Sequence, residues 1–330
     1  MPRRSLEADM ASTRIFALDG RGGAAKSTLD APVAADAGFS LIWIHQKSGD
    51  PAALKWLEAG SGIDSFIHQA LTAEDTRPRC TVHGEGAIVN LRGVNLHEGA
   101  DPEDMISVRL WIEAHRVIGV WRRQLFAADD LFDSIERGVA PVSPGDFIAK
   151  LALRLADRME PTVADLHEQI DDMEDQLEDD STAAPSRGAL ADIRRQAIIL
   201  RRFIAPQRDA LNTLAIEDLD WLTERDRSRI REAGDKTTRV AEELESVRER
   251  AAIVHDQLLE KRAEQMNRYT LLLTVVASIF LPLGLITGLL GINVGGIPGA
   301  DNPWAFAIVT ALLLGLGGLQ VAVYRMIKLI

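Results

Sequence analysis

Apolar and polar positions fall into three successive patterns along the chain. Up to about residue 125, apolar residues come in short runs and alternations. Residues 15–19, 41–44 and 87–91 read as strands, the last two as short apolar segments, the second holding one polar residue, Asn90. Ile106, Val108, Leu110 and Ile112 alternate with Ser107, Arg109, Trp111 and Glu113, the period of a half-buried strand. Residues 117–121 are expected to pair with it across a turn near His115. Residues 52–60 and 65–71 read as short helices.

From about Pro144 the period changes to that of helices in contact. Val163, Leu166, Ile170, Met173 and Leu177 step by three and four residues, and Leu190, Ile193, Ala197, Leu200 and Ile204 repeat the rhythm as far as Leu211 and Leu214. Residues 181–188, with Pro185, signal a turn, so these two helices should fold back as an antiparallel pair. A third run carries Ile230, Thr237, Val240, Leu244, Val247, Ala251, Val254 and Leu258 in register. It has neither Gly nor Pro between Lys236 and Pro282, so one long helix is expected. Its seam requires partner helices. If those partners are identical stalks around an axis, the segment that follows lines that axis.

The third pattern is apolar throughout. Between Tyr269 and Tyr324 the sole charged side chain is Asp301. Residues 269–292 would extend about 36 Å as a helix, against a hydrocarbon core of about 30 Å, and residues 304–324 also suffice. The Gly- and Pro-rich loop between them separates two transmembrane helices. Lys261, Arg262 and Arg268 precede the first span, Arg325 and Lys328 follow the second, and the loop has no Lys or Arg. Both termini are therefore expected in the cytoplasm and the loop outside. Met1-Pro2-Arg3-Arg4 has no apolar run behind it, so no signal peptide is expected.

The expected architecture is an α+β membrane protein with a mixed α/β cytoplasmic domain, a helical hairpin, and a long coiled stalk helix running into a two-helix transmembrane hairpin. Its parts are residues 1–143 (cytoplasmic α/β domain), 144–222 (antiparallel helical hairpin) and 223–268 (stalk). Residues 269–292 form transmembrane helix 1, 293–303 the outer loop, 304–324 transmembrane helix 2, and 325–330 a basic tail.

Composition narrows the function. The chain has 49 acidic and 37 basic residues and a net charge of −12, which disfavours nucleic acid as a partner. One cysteine, Cys80, excludes an intramolecular disulfide framework. Gly20-Arg21-Gly22-Gly23-Ala24-Ala25-Lys26-Ser27 imitates a phosphate-binding loop. It lacks the second glycine before the lysine, and Pro32 interrupts any following helix, so no nucleotide is expected. His45, His68, His83, His97, His115 and His255 are scattered, and no nucleophile–base arrangement stands out. The chain does not read as an enzyme.

Two groups remain as candidate chemistry. Asn267, Thr270, Thr274, Ser278, Leu281, Leu285, Gly288 and Ile292 lie on one stripe of the first span. They read either as a pore face, with Leu281 and Leu285 as an apolar constriction, or as hydroxyls bonding their own backbone. Pro282 frees the Ser278 carbonyl, which then faces an ion or merely marks a kink. On the second span, Ala307, Ala311 and Gly315 form a small-residue stripe expected to give close packing. In the acidic helix, His167, Asp171, Asp172 and Asp175 read as a cation sensor or, preferred, as a solvated face balanced by Arg194, Arg195, Arg201, Arg202 and Arg208.

Gly291-Ile292-Asn293 at the outer end of the penultimate helix, followed by a second span and a short basic tail, resembles the signature of the CorA family of metal-ion transporters. That family has Gly-Met-Asn there. The continuation Val294-Gly295-Gly296-Ile297-Pro298-Gly299, with Leu18-Asp19-Gly20-Arg21-Gly22-Gly23-Ala24 and Ala205-Pro206-Gln207-Arg208-Asp209-Ala210-Leu211, is similar to the ZntB zinc-transporter branch. The resemblance implies a CorA-like funnel: a homopentamer in the inner (plasma) membrane, with the first span lining a central pore. It implies that Gly291, Ile292 and Asn293 form a ring that captures a hydrated divalent cation, and that the cation is zinc, with proton coupling an open question. Asp301 could concentrate cations at the mouth. Residues 269–330 contain no His, Cys or Glu, whereas Zn2+ prefers imidazole and thiolate; Mg2+, Co2+ and Ni2+ stay open as substrates. A channel gated by cytoplasmic metal is the second transport reading. A membrane-anchored scaffold is the reading from another class, and the Gly-Ile-Asn loop speaks against it.

Overall fold

The computed structural model describes residues 13–29, 38–46, 51–74, 77–178, 186–292, 297, 299 and 302–327. The chain divides into two units, residues 1–255 and 256–330.

The first unit is built on a seven-stranded sheet. Its strands are β1 (Arg14–Leu18), β2 (Ala24–Lys26), β3 (Phe39–His45), β4 (Arg79–His83), β5 (Gly86–Gly93), β6 (Ile106–Glu113) and β7 (Arg116–Trp121), in the order β2-β1-β3-β7-β6-β5-β4. β3 and β7 run parallel; the other neighbours are antiparallel. β3 sends Phe39, Leu41 and Trp43 to one face and Ile42 and Ile44 to the other, and both sets are buried. A continuous apolar run is what such a two-sided strand requires. Gly119 of β7 pairs with Trp43 of β3, and a Cβ there would lie 2.1 Å from the Trp43 ring. Glycine is the residue that admits the indole there.

Helices cover both faces. α1 (Pro51–Lys55), widening into a π-type turn at Trp56–Gly60, and α2 (Ser65–Thr72) cover the Ile42 and Ile44 face. α3 (Phe126–Glu136) and α4 (Pro144–Asp157) cover the other. Asp64 caps α2 by accepting from the Ile67 N–H at 2.9 Å, and Ser143 caps α4 by accepting from the Asp146 N–H at 2.9 Å.

Several expectations need correction here. β6 is not half-buried: Arg109 and Trp111, on its expected solvent face, are 0% and 5% exposed because α2 packs over that side. The strands β2 and β4 and the helix α3 were not among the sequence expectations. β2 and β4 are edge strands with much of their surface exposed, so no apolar period marks them. α3 does carry one, in Ala127, Ala128, Leu131, Phe132 and Ile135. α4 contributes Phe147, Ile148, Leu151, Ala152 and Leu155 to the sheet core, although it falls within the segment expected to be hairpin.

The acidic and basic helices are α5 (Glu160–Glu178) and α6 (Arg187–Ile216), which pack together; the middle of their expected turn, residues 181–185, lies outside the described residues. Gln207, buried in α6, accepts the Arg92 backbone N–H of β5 at 2.7 Å and ties the helix to the sheet. α7 (Glu224–Gly291) starts at a reciprocal capping box: the Asp226 N–H donates to the Thr223 hydroxyl, and the Thr223 N–H donates back to the Asp226 carboxylate.

The seam on α7 has a different partner from the one considered. Val240, Leu244, Val247, Ala251 and Val254 are 0–2% exposed, in one cluster with Val163, Leu166 and Ile170 of α5 and Leu190, Ile193, Ala197 and Leu200 of α6. The heptads are satisfied by the chain's own hairpin, a three-helix core, and do not call for identical stalks. Truncating Leu244 to Ala would cost about 3 kcal/mol.

In the second unit, α7 continues to Gly291 and α8 spans Ala305–Met326.

Candidate functional site

The apolar half of α7 and the whole of α8 are long and apolar enough to cross a membrane. They are not core helices, since Leu281 and Phe306 are 77% and 85% exposed. Such surfaces are unfavourable in water and favourable in lipid.

One face of α7 meets α8. Val275, Ser278, Ile279, Pro282, Leu283 and Ile286 are the covered or half-covered positions on α7, and a Cβ at Gly317 of α8 would sit 3.8 Å from Leu283. The contact is sealed by polar groups. The Tyr324 hydroxyl donates to Ser278 Oγ at 2.6 Å, Ser278 Oγ donates to the Val275 carbonyl at 2.8 Å, and Gln320 Nε2 donates to the Ser278 carbonyl at 3.3 Å. Pro282 has no N–H to give that carbonyl.

The stripe of the first span lies on a different face. At about 100° per residue, Asn267, Thr270, Thr274, Leu281, Leu285, Gly288 and Ile292 centre roughly a third of a turn from the α8-facing positions. All are exposed in the single chain. Ser278 is the exception: it lies at the edge of the stripe, and both its hydroxyl and its carbonyl are engaged by α8. The Thr274 hydroxyl donates to the Thr270 carbonyl at 2.8 Å, as the backbone-bonding reading expects, which leaves its oxygen lone pairs directed outward. Gly291 closes α7 and Ile292 follows it, 51% exposed. Asn293 and Asp301 lie outside the described residues. Ala307, Ala311 and Gly315 are exposed; the small residue of α8 against α7 is Gly317.

The candidates on the acidic helix are dispersed. Among the described residues no three His, Cys, Asp or Glu side chains are gathered as a metal site. Asp171 and Glu174 of α5 both bind the guanidinium of Arg250, on α7, at 2.5 Å. The carboxylates hold the Arg250 charge in place and raise its pKa further above the usual range. His167 is half-buried; Asp172 and Asp175 are exposed. The expected balancing by α6 takes another form, because Arg201 pairs with Glu245, Arg195 with Glu103, and Arg208 with its neighbour Asp209. Sequence reading missed Arg250 since a single cation among many carries no pattern.

The glycine-rich stretch near the start is the turn of a β-hairpin. β1 and β2 pair on either side of it, and the Asp19 carboxylate accepts the Arg21 and Gly23 N–H groups at 2.7 and 2.9 Å. These two bonds hold the Asp19 carboxyl below the ordinary carboxylate range. Gly20 and Gly22, at φ 71° and 100°, supply the left-handed turn. A strand follows in place of the helix that a phosphate loop needs.

The sequence model of the family described as "CorA-like Mg2+ transporter protein" matches residues 39–325. The chain is 38% identical over 315 residues to the divalent cation transporter CmaX of Pseudomonas aeruginosa, covering 95% of each. It is 35% identical over 303 residues to the zinc transport protein ZntB of Pectobacterium atrosepticum, covering 92% of this chain and 91% of that one. The full-length structure of CmaX superposes with a TM-score of 0.83 at 36% identity, covering 96% of this chain and 97% of that one. The complete CorA magnesium transporter of Methanocaldococcus jannaschii shares the fold, with a TM-score of 0.80 at 20% identity over 94% and 97% of the two chains.

Proposed function

The chain belongs to the CorA family of divalent metal-ion transporters, and we propose that it mediates the uptake of zinc as a hydrated ion. It is a transporter and not an enzyme. The observation that carries the pore reading is the stripe on α7, which apart from Ser278 the chain's own second span leaves uncovered while it packs a different face. In this reading five copies surround an axis in the inner membrane, with both termini in the cytoplasm, and the stripe faces that axis.

The ring of Gly291, Ile292 and Asn293 receives the ion at the outer mouth. An Asn amide oxygen and backbone carbonyls at a helix end accept hydrogen bonds from the ion's water shell, so the shell need not be stripped. Asp301 raises the local cation concentration, weakly because salt screens a lone charge. The ion then passes the apolar constriction of Leu281 and Leu285 and reaches the Thr274, Thr270 and Asn267 oxygens. With no imidazole or thiolate in residues 269–330, recognition acts on the hydrated ion. Mg2+, Co2+ and Ni2+ are then competitors, and the similarity to ZntB proteins supports zinc as the preferred cargo. The alternative is a CorA-type magnesium, cobalt or nickel channel, supported by the description of the matching family.

The test is uptake into liposomes holding the purified chain, comparing Zn2+ with Mg2+ at matched gradients, with and without an inward proton gradient. Faster Zn2+ flux that Asn293→Ala abolishes, with the oligomer intact, is the expected result. Equal flux of both metals would overturn the zinc assignment, and undiminished flux in Asn293→Ala would overturn the role of the ring.

A further inference from the structure

Within a bilayer no water is at hand to satisfy a backbone carbonyl, so a proline in a spanning helix leaves one acceptor to be served by a neighbour. In α7 that proline is Pro282 and that acceptor is the Ser278 carbonyl. The donor it meets is Gln320 Nε2 of α8, at 3.3 Å. One turn further along α8, Tyr324 holds the Ser278 side chain at 2.6 Å. One turn before Gln320, Gly317 lets α8 approach Leu283, on the other side of the proline. α8 therefore contacts α7 on both sides of Pro282, within a helix that runs unbroken from Glu224 to Gly291.

The state of the amide itself marks Gln320 as placed for this bond. Its Oε1 is buried and, among the described residues, has no hydrogen-bond partner. Keeping a primary amide in an apolar site with its acceptor unused is unfavourable. A leucine would fill the same space without that cost, so the donor half of the amide carries the advantage.

We propose that Gln320 is a positioning residue that latches the first span to the second at the Ser278 carbonyl left free by Pro282, and so fixes the geometry of the pore-facing stripe. The stripe residues Leu281 and Leu285 bracket Pro282, and a change of angle there moves the constriction relative to the hydroxyl-bearing end of the span. The transport half of this inference rests on the pore reading above; the hydrogen-bond half does not.

A double-mutant cycle on the full-length chain separates the two. Pro282→Ala restores an N–H to the Ser278 carbonyl and makes the Gln320 donor redundant. Gln320→Leu alone is expected to lower the melting temperature in detergent by about 3 °C and to slow divalent-cation uptake in liposomes about fivefold, the factor for a bond worth about 1 kcal/mol. In the Pro282→Ala background, Gln320→Leu is expected to change neither. Equal losses of stability in both backgrounds would overturn the latch and leave Gln320 as packing. Coupling in stability with unaltered uptake in Gln320→Leu would overturn its positioning role. If the wild-type chain carries no divalent cation, the transport reading fails, and the stability cycle still decides the bond.

Discussion

Gln207 accepts the Arg92 backbone N–H at 2.7 Å across 115 residues of sequence. The same arginine lays its guanidinium over the Phe203 ring, 4.1 Å from its centroid, and donates to the Met105 carbonyl at 3.3 Å. One residue thus binds helix α6 to strand β5 through backbone, charge and π-face together. Gln207 is 1% exposed, so Gln207→Leu would leave the partly buried Arg92 N–H unpaired. A loss of about 2 kcal/mol is expected in chemical unfolding of the residue 1–255 unit within the full chain.

The acidic helix gives a contrast between its members. Asp172 and Asp175 are exposed and Asp171 serves Arg250. Asp172→Asn and Asp175→Asn should leave uptake, and its response to Mg2+ on the cytoplasmic side, unchanged. Arg250→Ala should loosen the α5–α7 contact by about 1 kcal/mol, an effect reduced by salt because both pairs are partly exposed. Uptake against internal Mg2+ and a salt series of melting curves check the two statements; a shifted Mg2+ response in the Asp variants would make the helix a sensor.

The proposed constriction at Leu281 and Leu285 can be tested by wetting it. Leu285→Ser places a hydroxyl on an exposed stripe position and should raise basal divalent-cation flux in liposomes, since an apolar ring restrains ions by excluding water. Unchanged flux would move the gate elsewhere.

Acid stability should respond at Asp104. Its hydrogen bond to Arg123, at 2.5 Å, holds the carboxyl below its ordinary value. A group with a lowered folded pKa contributes stability above the unfolded value of 3.8, and that contribution fades as pH falls through the folded value. The pair is largely exposed, so the effect is small. Asp104→Asn should therefore lower the melting temperature slightly at pH 7, and the difference from the wild type should shrink as the pH falls below 3.8 and through the lowered folded value.

Burial pushes the Cys80 thiol up to about 12, with the Glu217 charge adding to the effect. The thiolate is the reactive form. Maleimide labelling of the folded chain at pH 8 should be slow and should speed up on unfolding in guanidinium; rapid labelling of the native protein would contradict the burial of this side chain.

The amino-acid sequence by itself determined what depends on local periodicity. The uncharged runs gave both spans, because crossing hydrocarbon needs some twenty apolar residues and little else. The heptads announced the contacting helices, and most strands of the central sheet were visible as apolar runs. What tertiary structure decided was which neighbour each face meets. The α7 seam is filled by the chain's own α5 and α6, and the outer face of β6 is buried by α2. Ser278 turns toward Gln320 and Tyr324, and Asp171 pairs with Arg250. A periodic pattern states that a face is apolar or a carbonyl unpaired, but it carries no address. The address comes from groups 42 to 115 residues away, brought within hydrogen-bond reach by packing that minimises the unsatisfied surface of the whole chain.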